Sequence, residues 1–155
     1  RIDLDRWYDQ GQAERTAEMF CPAHDPDDVG DTGDKLGGDS GVTESHVEDI
    51  DAHAEEYDRV GHTQKVARAR DDDFEPRILR RTEGVADTVR DGAGFQFNAI
   101  QETMADFVET RKTMNVDEYD HDVPAEDHGI TDYLETLRRG SYLAPPREKR
   151  ALPVV

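Results

Sequence analysis

Gly94-Phe95-Gln96-Phe97-Asn98-Ala99-Ile100-Gln101 is the stretch on which the fold turns. Apolar residues fall on alternate positions, so Phe95, Phe97 and Ala99 share one face of an extended strand. Directly behind it, Thr103 to Asn115 switches to a helical period, with Met104, Phe107, Val108 and Met114 as an apolar stripe. Directly ahead, Arg77 to Arg81 reads as a short strand, and Thr82 to Gly94 as a Gly-containing, hairpin-like connection. The centre of the chain is therefore strand, turn, strand, helix.

Working outward, Arg1 to Arg6 alternates Ile2 and Leu4 with charged residues, the period of a half-buried strand. Gln10 to Phe20 carries Ala13, Ala17 and Phe20 at helical spacing and stops before Cys21-Pro22. Ala23 to Val42 is rich in Asp and Gly and reads as a long surface loop. Within it, Asp25-Pro26-Asp27-Asp28-Val29-Gly30 hints at a calcium loop but lacks the closing Glu of an EF-hand. Glu44 to Glu56 is a helical turn or a loop, and 63–70 a short helix with Arg68 and Arg70 near the end where its dipole favours cations. Val116 to Gly129 is an acidic loop, Ile130 to Leu137 a short helix, and Gly140 to Ala144 a last strand before Pro145-Pro146. The order strand, helix, strand, strand, helix, strand predicts an α+β fold. It is a ferredoxin-like antiparallel sheet with helices on one face and long acidic loop insertions.

Charge decides what the chain is not expected to bind. Its 37 Asp and Glu against 19 Lys and Arg give a formal charge of −18. Nucleic acid and anionic lipid are polyanions, so direct binding to either is disfavoured. Only Lys35, Lys65, Lys112 and Lys149 among the cations are lysines. An acidic, lysine-poor chain is suited to strong salt, where screening over a few ångström removes most self-repulsion. With 34% hydrophobic residues the core must be lean, and 155 residues make one domain. Cys21 is the sole cysteine, so there is no intramolecular disulfide and no cysteine-based metal knuckle. No apolar run is long enough for a membrane span. The chain opens at Arg1, inside an expected strand and without an initiator Met. The expectation is a piece of a longer polypeptide, whose upstream half would carry any export signal.

Several segments together resemble the C-terminal half of the dye-decolorizing heme peroxidases. Arg1-Ile2-Asp3-Leu4-Asp5-Arg6-Trp7-Tyr8 looks like the strand and Trp-containing helix start of that half. His62 followed by basic residues resembles the proximal heme-ligand motif, and Ile78-Leu79-Arg80-Arg81 the Ile-Leu-Arg-Arg segment that follows it. Gly94 to Gln101 is similar to the pattern Gly-Leu-Leu-Phe-x-x-Phe-Gln, and Ser141-Tyr142-Leu143-Ala144-Pro145-Pro146 to the closing strand and Pro pair. Departures stand beside these likenesses. The Gly-x-x-Asp-Gly motif, whose Asp handles the peroxide proton, belongs to the upstream half. Neither Gly33-Asp34 nor Asp39-Ser40-Gly41 reproduces it. Thr82 stands where Gly often follows the Arg pair, and Gln64 breaks the register after the ligand histidine.

The resemblance implies a heme b cofactor held through iron by His62, with Asp132 orienting its ring and Glu135 as the fallback. It makes Arg80 the distal catalytic arginine and Phe95 and Phe97 the apolar cap of the pocket; core packing alone would also explain both rings. Lys65, Arg68 and Arg70 could pair with heme propionates or simply form salt bridges. The implied reaction is oxidation of an unidentified donor by hydrogen peroxide through a ferryl intermediate, with an upstream half or a second copy completing the site. A non-catalytic heme-binding or structural domain of the same ancestry is the first alternative, and an acidic protein-interaction domain without heme the second. The compartment is either the exterior, reached by a twin-arginine signal outside this chain, or the cytoplasm of a high-salt organism. His24, His46 and His53 read as residues of polar loops, and His121 and His128 as neighbours of acidic groups without ligand-like spacing.

Overall fold

Short helices, each stopped or started by a local hydrogen bond, are what this sequence builds. The computed structural model describes residues 1–30, 35, 42–87, 92–115, 119 and 121–149. Helix α1 (Leu4–Asp9) begins where the Asp3 carboxylate accepts from the Arg6 amide, 3.1 Å away. Helix α2 (Gln12–Met19) follows Gly11 and ends at Phe20. The single turn α3 (Pro26–Val29) is capped by Asp25, which accepts from the Asp27 amide while its own amide donates to Asp28. Those two carboxylates serve a helix start there, not a calcium loop.

Helix α4 (Glu44–Tyr57) is far more regular than the turn or loop expected. His46, Ile50 and Ala54, four residues apart, form its buried stripe. Helix α5 (His62–Arg68) starts at Gly61, whose amide donates to the Gln64 side-chain oxygen at 3.0 Å. Gly61 has no room for a side chain: a Cβ there would lie 2.2 Å from the Phe20 carbonyl oxygen. Two strands follow, β1 (Leu79–Asp87) and β2 (Gly92–Ile100), paired antiparallel from Leu79 opposite Ile100 to Asp87 opposite Gly92. Helix α6 (Met104–Met114) opens with a reciprocal cap between Thr103 and Asp106. Short 3-10 turns occupy Ala125–Asp127 and Gly129–Tyr133.

The expected strand over residues 1–6 shrinks to a bridge. Ile2 pairs on one side with Ala93 and on the other with Leu134, both antiparallel, and α1 begins two residues later. The last strand expected at 140–144 is replaced by Leu134 at that bridge. Residues 140–144 lie outside any strand, with Tyr142 95% exposed. A strand needs a partner for its amides, and this stretch has none among the described residues.

Burial lies between helices. Ile50, Ala54, Val60 and Val123 form the core cluster, with Tyr119 packed against it. No described side chain of β1 or β2 is buried. The α6 stripe is not core either, since Met104 and Val108 are exposed. Expectations for 31–34, 36–41, 88–91, 116–118, 120 and 150–155 fall outside the described residues.

Candidate functional site

His62 is the first residue of α5 and is half-buried. Among the described residues its ring makes no hydrogen bond. Burial, then the nearby charges of Lys65 and Arg80, push its imidazole down to about 4. The ring is therefore neutral at neutral pH, with a lone pair to offer a metal. Arg80, on β1, is exposed and has no hydrogen-bond or ion-pair partner among the described residues. The strand register settles what shares its face. Arg80 stands opposite Ala99, Thr82 opposite Phe97, and Gly84 opposite Phe95. Directly opposed residues point the same way, as do alternate residues along a strand. Arg80, Phe95 and Phe97 therefore occupy one face of the ribbon, with Phe95 half-buried and Phe97 50% exposed.

Other expected partners are committed elsewhere. The Asp132 carboxylate accepts from the Arg6 guanidinium, and Arg6 also lies 4.9 Å over the Tyr133 ring. Among the described residues Asp132 makes no hydrogen bond to His62. Glu135, the fallback, meets Arg1 at 3.9 Å. Lys65 cannot serve a propionate in this arrangement. Fully buried, it donates to the carbonyls of His128 (2.6 Å) and Met114 (3.2 Å) and to the Thr131 hydroxyl (3.1 Å). Arg68 grips Asp51 at 2.8 and 2.9 Å and lies over Tyr119, while Arg70 donates to the Phe74 carbonyl. Gln64, the departure after His62, is a buried link whose amide reaches both Gly61 and His53. A groove of about 280 Å³ beside the N-terminal segment is lined by Arg1, Asp3, Asp132, Tyr133, Leu134 and Glu135, not by His62 or Arg80.

One cluster escaped the sequence reading. Cys21 and His46 are buried, His24 half-buried, and the Cys21 sulfur and one ligating nitrogen of each histidine all lie within 4.8 Å of one another. Neither His46 nor His53 is a loop residue; both project from α4. Burial lowers the pKa of both His24 and His46 and raises that of the Cys21 thiol. The local signal was Cys21-x-x-His24, a ligand-like spacing, but its third member sits on another helix. His121 instead pairs with Asp58 at 2.9 Å, and His128 with the Val123 carbonyl at 2.8 Å.

Fold and site together define an α+β domain in which a helical core carries an antiparallel ribbon. The chain belongs to a family of unknown function, DUF7405, which matches it over residues 1–146. No curated protein and no solved structure matches it.

Proposed function

We propose that this chain is a heme-binding domain of peroxidase type, with His62 as the iron ligand and Arg80, Phe95 and Phe97 on the opposing ribbon face. The observation that supports the reading is a His62 imidazole kept neutral by burial, with the charges of Lys65 and Arg80 adding to the effect, while the strand register sets Phe95 and Phe97 on the ribbon face that carries Arg80. Strand order supports the ancestry. Reading β1, β2, residue 2, then residue 134, every neighbour is antiparallel, which is the sequence of rows in a ferredoxin-like sheet. Heme, when bound, would supply the two-electron reduction of hydrogen peroxide to water at the expense of an organic donor. In that setting Phe95 and Phe97 exclude water. Arg80, permanently charged, would favour a bound peroxide anion and offset negative charge developing beside it. Among the described residues no carboxylate bonds Arg80, so the group that would move the peroxide proton is not assigned within them.

A second reading, heme uptake without turnover, is favoured by one contact. Asp132 is tied to Arg6, so among the described residues no carboxylate bonds the His62 ring to raise its basicity as a ligand. Titration of hemin into the chain in molar salt tests both. We expect a saturating Soret shift at one heme per chain that His62→Ala abolishes. Peroxide and a dye then separate turnover from storage. Equal uptake by His62→Ala, or none by the native chain, overturns heme binding at this site and leaves an acidic interaction domain, a role for which the exposed Leu79, Val85 and Ile100 of the other ribbon face would serve.

A further inference from the structure

We infer that Cys21, His24 and His46 form a second, heme-independent site for a thiophilic transition ion, zinc(II) being the ion this ligand set suits. Cys21 closes the end of α2, and a turn in which the His24 amide donates to the Cys21 carbonyl at 3.0 Å folds His24 back beside it. His46 reaches the same point from the first turns of α4. The two imidazoles meet edge to face with centroids 5.7 Å apart. Cys21 is 2% exposed and His46 7%.

Two orphaned atoms point to a ligand. The Nδ1 atoms of His24 and His46 are both buried without a hydrogen-bond partner. A buried polar atom left unpaired costs about 1–3 kcal/mol, so native interiors rarely keep two side by side. An ion accepting their lone pairs would remove both costs. Around a tetrahedral zinc, sulfur and nitrogen ligands sit roughly 3.5 Å apart, so a set already within 4.8 Å closes by small side-chain rotations. The surrounding field also suits a cation, with Asp28 in electrostatic reach of His24 and Asp49 in reach of Cys21 and His46. His53 stands 3.4 Å from the sulfur. Its Nδ1 already accepts from Gln64 Nε2 at 2.8 Å, because the Gln64 oxygen is held by the Gly61 amide. That nitrogen is the ring atom nearest the sulfur, so its lone pair is not free for the ion, and solvent takes the fourth place. One thiolate and two imidazoles select a borderline-soft ion over calcium or magnesium, which take oxygen.

Cobalt(II) added to the heme-free full chain provides the test. The expected result is one equivalent bound, with a near-ultraviolet thiolate-to-cobalt band and the visible bands of a tetrahedral site, all displaced by zinc(II). Cys21→Ser removes the thiolate band. His24→Gln, on the half-buried turn and so easier to accommodate, weakens cobalt affinity by about 100-fold or more, exceeding what loss of an outer partner costs. Circular dichroism of each variant in molar salt confirms that it is folded. A thiolate band that survives in folded Cys21→Ser, its absence in the native chain, or displacement by magnesium as readily as by zinc overturns the site.

Discussion

The Lys65 ammonium, wholly buried on α5, donates to the His128 carbonyl at 2.6 Å. With its bonds to Met114 and Thr131 it fastens α5 to the end of α6 and to the 129–133 turn. Lys65→Met fills similar space but strands these acceptors. We expect a loss of about 3 kcal/mol in urea unfolding. A loss under about 0.5 kcal/mol, the range of surface changes, would show that the ammonium is no fastener.

Gly129 adopts φ 62, and a Cβ there would lie 2.8 Å from the His62 amide nitrogen and 2.9 Å from the Glu18 carbonyl oxygen. Gly129→Ala therefore combines a left-handed backbone penalty with overpacking, about 2–4 kcal/mol in all. Thermal unfolding in molar salt measures it, and an unchanged midpoint would contradict the close approach.

The folded His62 titrates at about 4 against 6.5 for a free ring. Between those values the unfolded chain holds more protons, so stability is complete above pH 6.5 and falls as pH drops toward 4. His62→Phe should flatten this part of the profile. Parallel profiles for the two proteins would mean that His62 is not held neutral.

Phe97 is half-exposed on the ribbon and supports no core. Phe97→Ser should shift unfolding by less than about 0.5 kcal/mol while weakening hemin uptake. Loss of stability with unchanged uptake would reverse that assignment and return Phe97 to a packing role.

A formal charge of −18 predicts that added potassium chloride raises the unfolding midpoint steadily from dilute to molar concentration. A midpoint that falls or stays level would remove the argument for adaptation to salt.

What the sequence disclosed depended on where each residue's partners lay. Strand β2 was legible because its alternation is local, and α6 because its period is. The burial of the α6 stripe was not, since Met104 and Val108 face solvent despite their spacing. Helix α4 was under-read because its inner stripe holds a single large apolar side chain, Ile50, between His46 and Ala54. Gly140 to Ala144 read as a last strand before Pro145-Pro146, yet pairing depends on a neighbour that composition cannot reveal. Of the expected site, His62, Arg80, Phe95 and Phe97 were named from motif order. The diversion of Asp132 to Arg6 and the enclosure of Lys65 are products of packing between distant segments, as is the convergence of Cys21, His24 and His46.

The bare Gly61 backbone pressed against the Phe20 carbonyl has a mechanical consequence. Cys21 hangs from one side of that junction and His62 from the other, with no compressible side chain between them. A side chain at position 61 would therefore push apart the two segments that carry these residues.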